Sequence, residues 1–563
     1  MAETVLRDRP ASRRLSIGRK LTLLHVSIIL GCGGLFRLLY LYTFKPCWSG
    51  DTEGYTYAYY LWTRHTFSIA ERPPVYSLFL GLVQWLAGTA PRAEGMAPSA
   101  QYLATWLQSL LGLAAALLVY FSLRSLRIRP KIALIGGLSF ALIGAVCLFG
   151  LLLLTEELSM FLIVLGIWSF VRCIRLLHGS KNFAVRALFC GFSFSLAILT
   201  RPENLIFVAV LIAAVFLLCL RCHYAPSLRW ATPGLAKLGL LMSVSAAPLV
   251  LLWMSWNLVS IGEFRLSTIT GVARTESVYN LFDRVEPQDR VAGAILQQFY
   301  LLKNRNGQIY RHHACVAMPF LIRGVEAGAI PVSQRDDLPH NPLLLRLRHQ
   351  LCQRLGIQER TTLDGEPIVQ PIGLYDYLGE LSTRLAIKHP LPYLGNVMSN
   401  FLIDTLEYNF LPFSLTEMDN PQAPEGGNVV RHLTFYPVTY WVSRIEQPLL
   451  VGSHLLLMGM ALFSPFFLFG RTSRHFLYDG AVLALSAASF LTIVCFCFLV
   501  SFHPEHGIPH LGVHLICAFF VFGNWKRALN GISERFPSLA HAFEDTRGNE
   551  PAESPKSSAD VSF

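Results

Sequence analysis

The chain has 563 residues, of which 53% are hydrophobic and only 15% are charged, and its formal net charge at pH 7 is +11. An ordinary soluble domain carries about 25% charged residues, and the mean hydropathy of this chain is +0.43. This composition excludes a water-soluble globular enzyme and indicates a polytopic membrane protein.

Apolar runs long enough to cross a bilayer alternate with linkers that are rich or poor in Lys and Arg. Because basic linkers stay in the cytoplasm, the alternation places both termini inside and explains the positive charge without a nucleic-acid partner. The sequence predicts an all-α polytopic protein with roughly 10–13 transmembrane helices. The clearest spans are 21–42, 102–123, 132–154, 158–174, 185–199, 205–220, 238–258, 448–469, 477–500 and 512–522.

Two further apolar segments, 73–86 and 391–411, would break the alternation if they crossed, so neither is predicted to span. Segment 73–86 is predicted to lie as a helix at the outer interface. The predicted organisation is a cytoplasmic segment 1–20, a transmembrane module 21–260 with its first outer loop at 43–101, an outer-face region 261–446 with an interfacial helix, C-terminal transmembrane helices 447–525, and a cytoplasmic tail 526–563. The tail is polar and is predicted to be disordered.

The first outer loop carries two acids and an arginine that are candidates for chemistry. Asp51 follows Gly50 just beyond the first span, and Glu53 stands two residues later. A carboxylate at the lipid–water boundary could act as a general base, or it could simply cap an interfacial helix. Arg72 precedes two prolines, where it could bind a substrate or anchor a helix start.

Later outer joins add further charged residues. Glu156 begins an apolar helix, where a carboxylate is costly unless it faces an aqueous pocket or benefits from the helix N-terminus. Arg201 and Glu203 flank Pro202 at another join. The guanidinium of Arg201 could clamp a phosphate or a carboxylate, or could snorkel to the interface.

The last outer loop contains His503, His506 and His510 with one glutamate. Two prolines in this stretch interrupt any helical face, so a metal site is not predicted there. Under the predicted topology one outer surface collects Asp51, Arg72, Glu156, Arg201, Glu203 and His506. Acids and arginines at one membrane face indicate a site for a substrate with an anionic head and a lipid tail.

The order of these motifs resembles the GT-C membrane glycosyltransferases, in particular the family 39-like branch of protein O-mannosyltransferases and the lipid A aminoarabinose transferase. The resemblance covers roughly residues 21–265, and it is carried by Arg37, Asp51-Thr52-Glu53, Arg72-Pro73-Pro74-Val75-Tyr76, Thr155-Glu156, Leu199-Thr200-Arg201-Pro202, Trp256-Asn257 and Gly262-Glu263-Phe264. Two departures stand out. Thr52 splits an acidic pair that is usual in the family, and Glu505-His506 stands where many members have Arg-Tyr.

The resemblance implies a GT-C-like helical bundle that transfers a sugar from a polyprenyl-phosphate-linked donor to an acceptor hydroxyl, with inversion. It implies an enzyme of the plasma (inner) membrane that works on its outer face, with a lipid, glycan or protein as acceptor. Asp51 is the expected catalytic base. The substrate-binding candidates are Glu53, Arg72, Glu156, Arg201, Glu203 and His506, with Arg201 first and Arg72 second for the donor phosphate.

The sequence indicates no definite cofactor, but it leaves room for a divalent cation: Glu156 could orient the acceptor or hold such an ion. Two alternatives remain open: an oligosaccharide ligase or polymerase, and a transporter or lipid flippase. Acids at the outer ends of spans favour the transferase, since a transporter should place its polar groups near the bilayer midplane.

Overall fold

The computed structural model describes residues 11–47, 50–63, 72–92, 95–177, 181–267, 274–289, 372–406, 434, 436–469, 476–499 and 510–524. Within these ranges the chain is almost entirely helical and forms no strand, which confirms the predicted all-α polytopic fold. The helices are α1 (Ala11–Thr43), α2 (Gly50–Thr63), α3 (Pro74–Leu86), α4 (Pro98–Ser125), α5 (Pro130–Ala141), α6 (Gly144–Phe149), α7 (Glu156–Arg175), α8 (Phe183–Ile198), α9 (Asn204–Tyr224), α10 (Thr232–Ile261), α11 (Ile372–Lys388), α12 (Pro390–Leu406), α13 (Tyr436–Phe469), α14 (Phe476–Leu499) and α15 (Leu511–Gly523).

Seven helical stretches in the described residues are long and apolar enough to cross a membrane: Arg19–Thr43, Pro98–Ser125, Glu156–Arg175, Asn204–Tyr224, Pro226–Ile261, Tyr436–Leu462 and Phe476–Cys495. The predicted spans 185–199 and 512–522 correspond to the shorter apolar helices α8 and α15. Helix α3 has 13 residues and is therefore about 20 Å long, less than the roughly 30 Å of a hydrocarbon core. Helix α15 has the same length, so the interfacial position of segment 73–86 stays a prediction.

The core is a bundle in which the C-terminal helices pack against the N-terminal ones. Helix α7 packs between α4 and α8, and α8 packs in turn against α10. From the C-terminal part, α14 packs along α9, while α15 contacts α4, α5 and α7. Side chains from α15 are thereby brought to elements that stand more than 300 residues earlier in the chain.

The predicted single span 132–154 is wrong, because the chain breaks there into α5 and α6. Ile143 is extended, with φ −73° and ψ 117°. The carboxylate of Glu446 accepts hydrogen bonds from the backbone N–H groups of Gly144 (2.6 Å) and Ala145 (2.9 Å). N–H groups at a helix start have no partner within the helix, so the half-buried carboxylate of Glu446 stabilises a second helix start where the apolar pattern alone predicts continuity.

Helix α13 runs without interruption from Tyr436 to Phe469, so the predicted boundary at residue 447 falls inside one helix. The carboxylate of Glu446 in this helix is satisfied by two N–H groups of α6. This boundary and the other proposed domain boundaries stay predictions.

Candidate active site

The first outer loop is attached to the segment that leads into α7. Cys47 and Leu152 form an isolated parallel bridge, in which the Cys47 N–H donates to the Leu151 carbonyl at 3.0 Å and the Leu153 N–H donates to the Cys47 carbonyl at 3.1 Å. The Thr52 hydroxyl in α2 donates to the Leu153 carbonyl at 2.9 Å. These bonds hold the first turn of α2 beside the start of α7.

The motif at the start of α3 joins the same place. The Val75 N–H donates to the Leu199 carbonyl at 3.1 Å, which ties α3 to the loop that carries Arg201. The buried Tyr76 hydroxyl donates to the Gln108 side-chain oxygen at 2.9 Å. The amide of Gln108 donates to the Leu152 carbonyl at 2.6 Å. Three motifs that are distant in sequence therefore meet at the N-terminal ends of their helices.

Two tyrosines line this meeting point. The rings of Tyr55 and Tyr76 contact each other edge to face, with centroids 5.0 Å apart. The Arg72 guanidinium lies 5.1 Å from the centroid of the Tyr55 ring, a cation–π distance. Burial, followed by the charge of Glu156, raises the pKa of Tyr76 well above its usual value, so its hydroxyl stays protonated. Arg72 itself is half-buried and remains within reach of a ligand.

Arg201 is the centre of a buried ion cluster. Its Nε donates to Glu203, and one terminal nitrogen donates to Glu156 and lies 3.3 Å from the Thr155 hydroxyl. Burial alone would lower the pKa of Arg201, but the carboxylates of Glu203 and Glu156 outweigh it and raise that pKa above its usual value. One guanidinium between two carboxylates leaves the cluster with a formal side-chain charge of about −1.

A second ion pair involves Glu157, the residue next to Glu156. Arg37 of α1 contacts Glu157 at 3.4 Å, and the two side chains are only 3% and 0% exposed. Gly112 of α4 faces this pair, and a Cβ at that position would overlap the Glu157 carboxylate and the Arg37 guanidinium. Glycine is therefore required for the pair to form. The adjacent acids Glu156 and Glu157 are each neutralised by an arginine from a different element.

The family described as dolichyl-phosphate-mannose-protein mannosyltransferase matches residues 28–257. The predicted resemblance is confirmed over this segment. The matched segment contains Arg37, Asp51, Arg72, Glu156, Arg201 and Glu203, whereas His506 lies beyond it. No curated protein sequence matches the chain.

Solved structures resemble the chain at low identity. The S. cerevisiae protein O-mannosyltransferase Pmt1-Pmt2 complex bound to the sugar donor is 18% identical with a TM-score of 0.35, over 42% of this chain and 33% of that one. The Archaeoglobus fulgidus oligosaccharyltransferase is 12% identical with a TM-score of 0.42, over 94% and 52%. ArnT from Cupriavidus metallidurans bound to undecaprenyl phosphate is 12% identical with a TM-score of 0.33, over 88% and 77%. The chain thus spans a third of the yeast chain and about half of the archaeal one.

Four of the predicted site residues come together in the described structure: Arg72, Glu156, Arg201 and Glu203. Asp51 is the second residue of α2, but its side chain and that of Glu53 lie outside the described residues, as does all of His506. Their roles stay predictions.

The sequence argument missed Tyr55 and His510 as members of this region. His510 lies near Arg201 and Glu203, close enough for their charges to act on its pKa. The aromatic-rich stretch after Asp51 was the available signal for Tyr55. For His510 the local sequence offered only three histidines in one loop, with no feature that distinguished among them.

Proposed function

We propose that the protein is a membrane glycosyltransferase that moves a sugar from a polyprenyl-phosphate-linked donor to an acceptor hydroxyl of a lipid, glycan or protein. The observation that carries this proposal is the convergence of Arg72 with the Glu156–Arg201–Glu203 cluster at one end of the bundle. Cations and carboxylates held together at helix N-termini suit a substrate that joins a phosphate to a sugar. The family match over residues 28–257 supports the same activity.

The proposed reaction is a single displacement at the anomeric carbon. The acceptor oxygen forms the new bond to that carbon, while the bond to the donor phosphate oxygen breaks and its electron pair leaves with the phosphate. Asp51 takes the proton of the acceptor hydroxyl. A phosphate with a second pKa near 6 is a good leaving group, so it needs a cation more than an acid. The configuration of the sugar inverts.

We assign the role of that cation to Arg72 rather than to Arg201. The guanidinium of Arg201 is 7% exposed and already donates to two carboxylates. Arg72 is half-buried against the face of Tyr55, where an incoming phosphate can reach it. Arg201 then holds Glu156 and Glu203 in place, and its direct contact with phosphate remains the sequence-based alternative.

A divalent cation at Glu156 does not fit this arrangement, because the Arg201 guanidinium occupies the carboxylate. Among the residues that the structure describes, no group of three or more His, Cys, Asp or Glu side chains could hold a metal ion. Because we assign the donor phosphate to Arg72, we expect sugar transfer to continue at an unchanged rate in excess EDTA. Loss of activity with EDTA and its recovery with Mg²⁺ or Mn²⁺ would contradict this assignment and give the reaction a divalent cation.

We place the site on the outer face of the plasma membrane. In intact cells, a cysteine introduced at the exposed Thr63 in α2 should react with a membrane-impermeant maleimide. A cysteine at the exposed Lys181, in a predicted cytoplasmic loop, should react only after permeabilisation. Labelling of the parent protein gives the background from its native cysteines. The reverse labelling pattern would place the site in the cytoplasm.

The activity itself is tested with purified protein in detergent and a panel of polyprenyl phosphates that carry mannose, glucose or an aminopentose. The expected result is consumption of one donor and release of polyprenyl phosphate. Activity only with a pyrophosphate-linked oligosaccharide would favour the ligase alternative. Movement of the intact lipid across liposomes without its cleavage would favour the flippase.

A further inference from the structure

His510 connects the C-terminal helices to the ion cluster. It immediately precedes α15, is 1% exposed, and its ring lies 5.1 Å from the ring of Phe207 in the first turns of α9. Arg201 and Glu203 are its electrostatic neighbours. Neither of its ring nitrogens has a hydrogen-bond partner in the described structure.

A buried imidazole with two unsatisfied nitrogens calls for a polar partner, because burying a polar group without one is unfavourable. Burial lowers the pKa of His510 to about 4, with Glu203 opposing that shift. The ring is therefore neutral at pH 7. A neutral imidazole offers one N–H donor and one acceptor nitrogen, which is the combination that a hydroxyl group can match.

The neighbouring cluster of Glu156, Arg201 and Glu203 also favours hydroxyl groups as ligands. The carboxylates of Glu156 and Glu203 only accept hydrogen bonds, whereas a deprotonated phosphodiester has no hydrogen to donate. Sugar hydroxyls both donate and accept, so they can satisfy a carboxylate and an imidazole at once. The formal side-chain charge of about −1 on Glu156, Arg201 and Glu203 also favours a neutral polyol over an anion.

We propose that Glu203 and His510 contact the hydroxyl-bearing ring of the donor sugar, with Arg201 holding Glu203 in place, while the phosphate lies toward Arg72. This inference rests on the proposed function. It assigns a substrate contact to a residue far outside the segment that matches the family. It also gives the C-terminal helices a part in choosing the sugar.

The test compares two ligands of the purified full-length protein: bare polyprenyl phosphate, and the member of the mannose, glucose and aminopentose panel that the parent binds most tightly. His510→Phe keeps a ring against Phe207 and removes both nitrogens. We expect it to bind the sugar-bearing ligand about tenfold more weakly, as for one lost hydrogen bond to a buried group. Its affinity for bare polyprenyl phosphate should stay unchanged. His510→Gln, which keeps a donor and an acceptor, should recover part of the loss.

His514→Phe is the matched control, because His514 is another buried histidine one turn further along α15 and contacts Ser489 at 3.3 Å. It should leave both affinities unchanged. An equal loss for both ligands in His510→Phe would overturn the inference in favour of a phosphate contact, and no loss for either would make His510 a packing residue. A parent that binds no sugar-bearing ligand better than bare phosphate would have no sugar subsite. Failure of the parent to bind even bare polyprenyl phosphate would instead contradict the proposed function.

Discussion

Replacement of Asp51 by asparagine is expected to lower sugar transfer by about 10²–10⁴-fold, the usual effect of losing a general base. A carboxylate accepts the proton of an acceptor hydroxyl, and an amide cannot. An asparagine side chain can accept a backbone hydrogen bond at a helix start as aspartate does. The bond from Thr52 to the Leu153 carbonyl anchors the same turn of α2 independently. Protein yield and affinity for bare polyprenyl phosphate should therefore be unchanged.

Transfer is measured as release of polyprenyl phosphate, and Asp51→Asn is compared with Glu53→Gln. This second variant makes the same chemical change two residues further along α2, at a predicted substrate-binding residue, and should lower transfer less than Asp51→Asn does. If Asp51→Asn keeps transfer within a few-fold of the parent, the helix-cap interpretation of Asp51 is correct. Loss in Glu53→Gln instead would transfer the role of base to Glu53.

The second large effect is expected at Arg201. In Arg201→Ala the carboxylates of Glu156 and Glu203, which are 4% and 11% exposed, lose their cation. Breaking a buried ion pair by removing one partner costs about 3–5 kcal/mol, so the variant should unfold at a clearly lower temperature in detergent and lose transfer. Arg201→Lys keeps the charge but not the planar fork that holds two carboxylates, and it should fall between the parent and Arg201→Ala.

A double variant separates folding from chemistry at this cluster. Adding Glu203→Gln to Arg201→Ala removes one of the stranded charges, so part of the lost thermal stability should return while transfer stays absent. The two measurements are thermal unfolding followed by tryptophan fluorescence, and turnover at a temperature where every variant is folded. Native stability and activity in Arg201→Ala would mean that Arg201 only snorkels, and the proposed cluster would have no role.

The sequence predicted the arrangement of motifs better than the contacts among their side chains. The motifs around Arg72, Glu156 and Arg201 were expected at one surface, and backbone bonds such as Val75 to Leu199 bring them together. The sequence placed Arg201 against a phosphate, yet the structure pairs it with Glu156 and Glu203. A residue's place at a helix end follows from local pattern, but its partner depends on which helices pack beside it.

The histidines of the last outer loop show the same limit. Three of them stand within a few residues of one another, and the choice of His506 had no structural basis beyond its assignment to the outer face. His510 lies near enough to Arg201 and Glu203 for their charges to act on its pKa, because α15 packs into the N-terminal half of the bundle, against α4, α5 and α7. No periodicity in the sequence encodes that packing.

The sequence by itself determined the helical membrane architecture, most of the spans and the order of the site motifs. Apolar length, flanking charge and helix-start residues are local properties, and each can be read within a short window. Only the tertiary structure decided that Glu446 starts α6, that Arg37 pairs with Glu157, and that His510 lies near Arg201 and Glu203. The physical reason is that a charge enclosed among helices needs a partner in space, and the partners of Glu446 and Glu157 lie on other helices, more than 100 residues away.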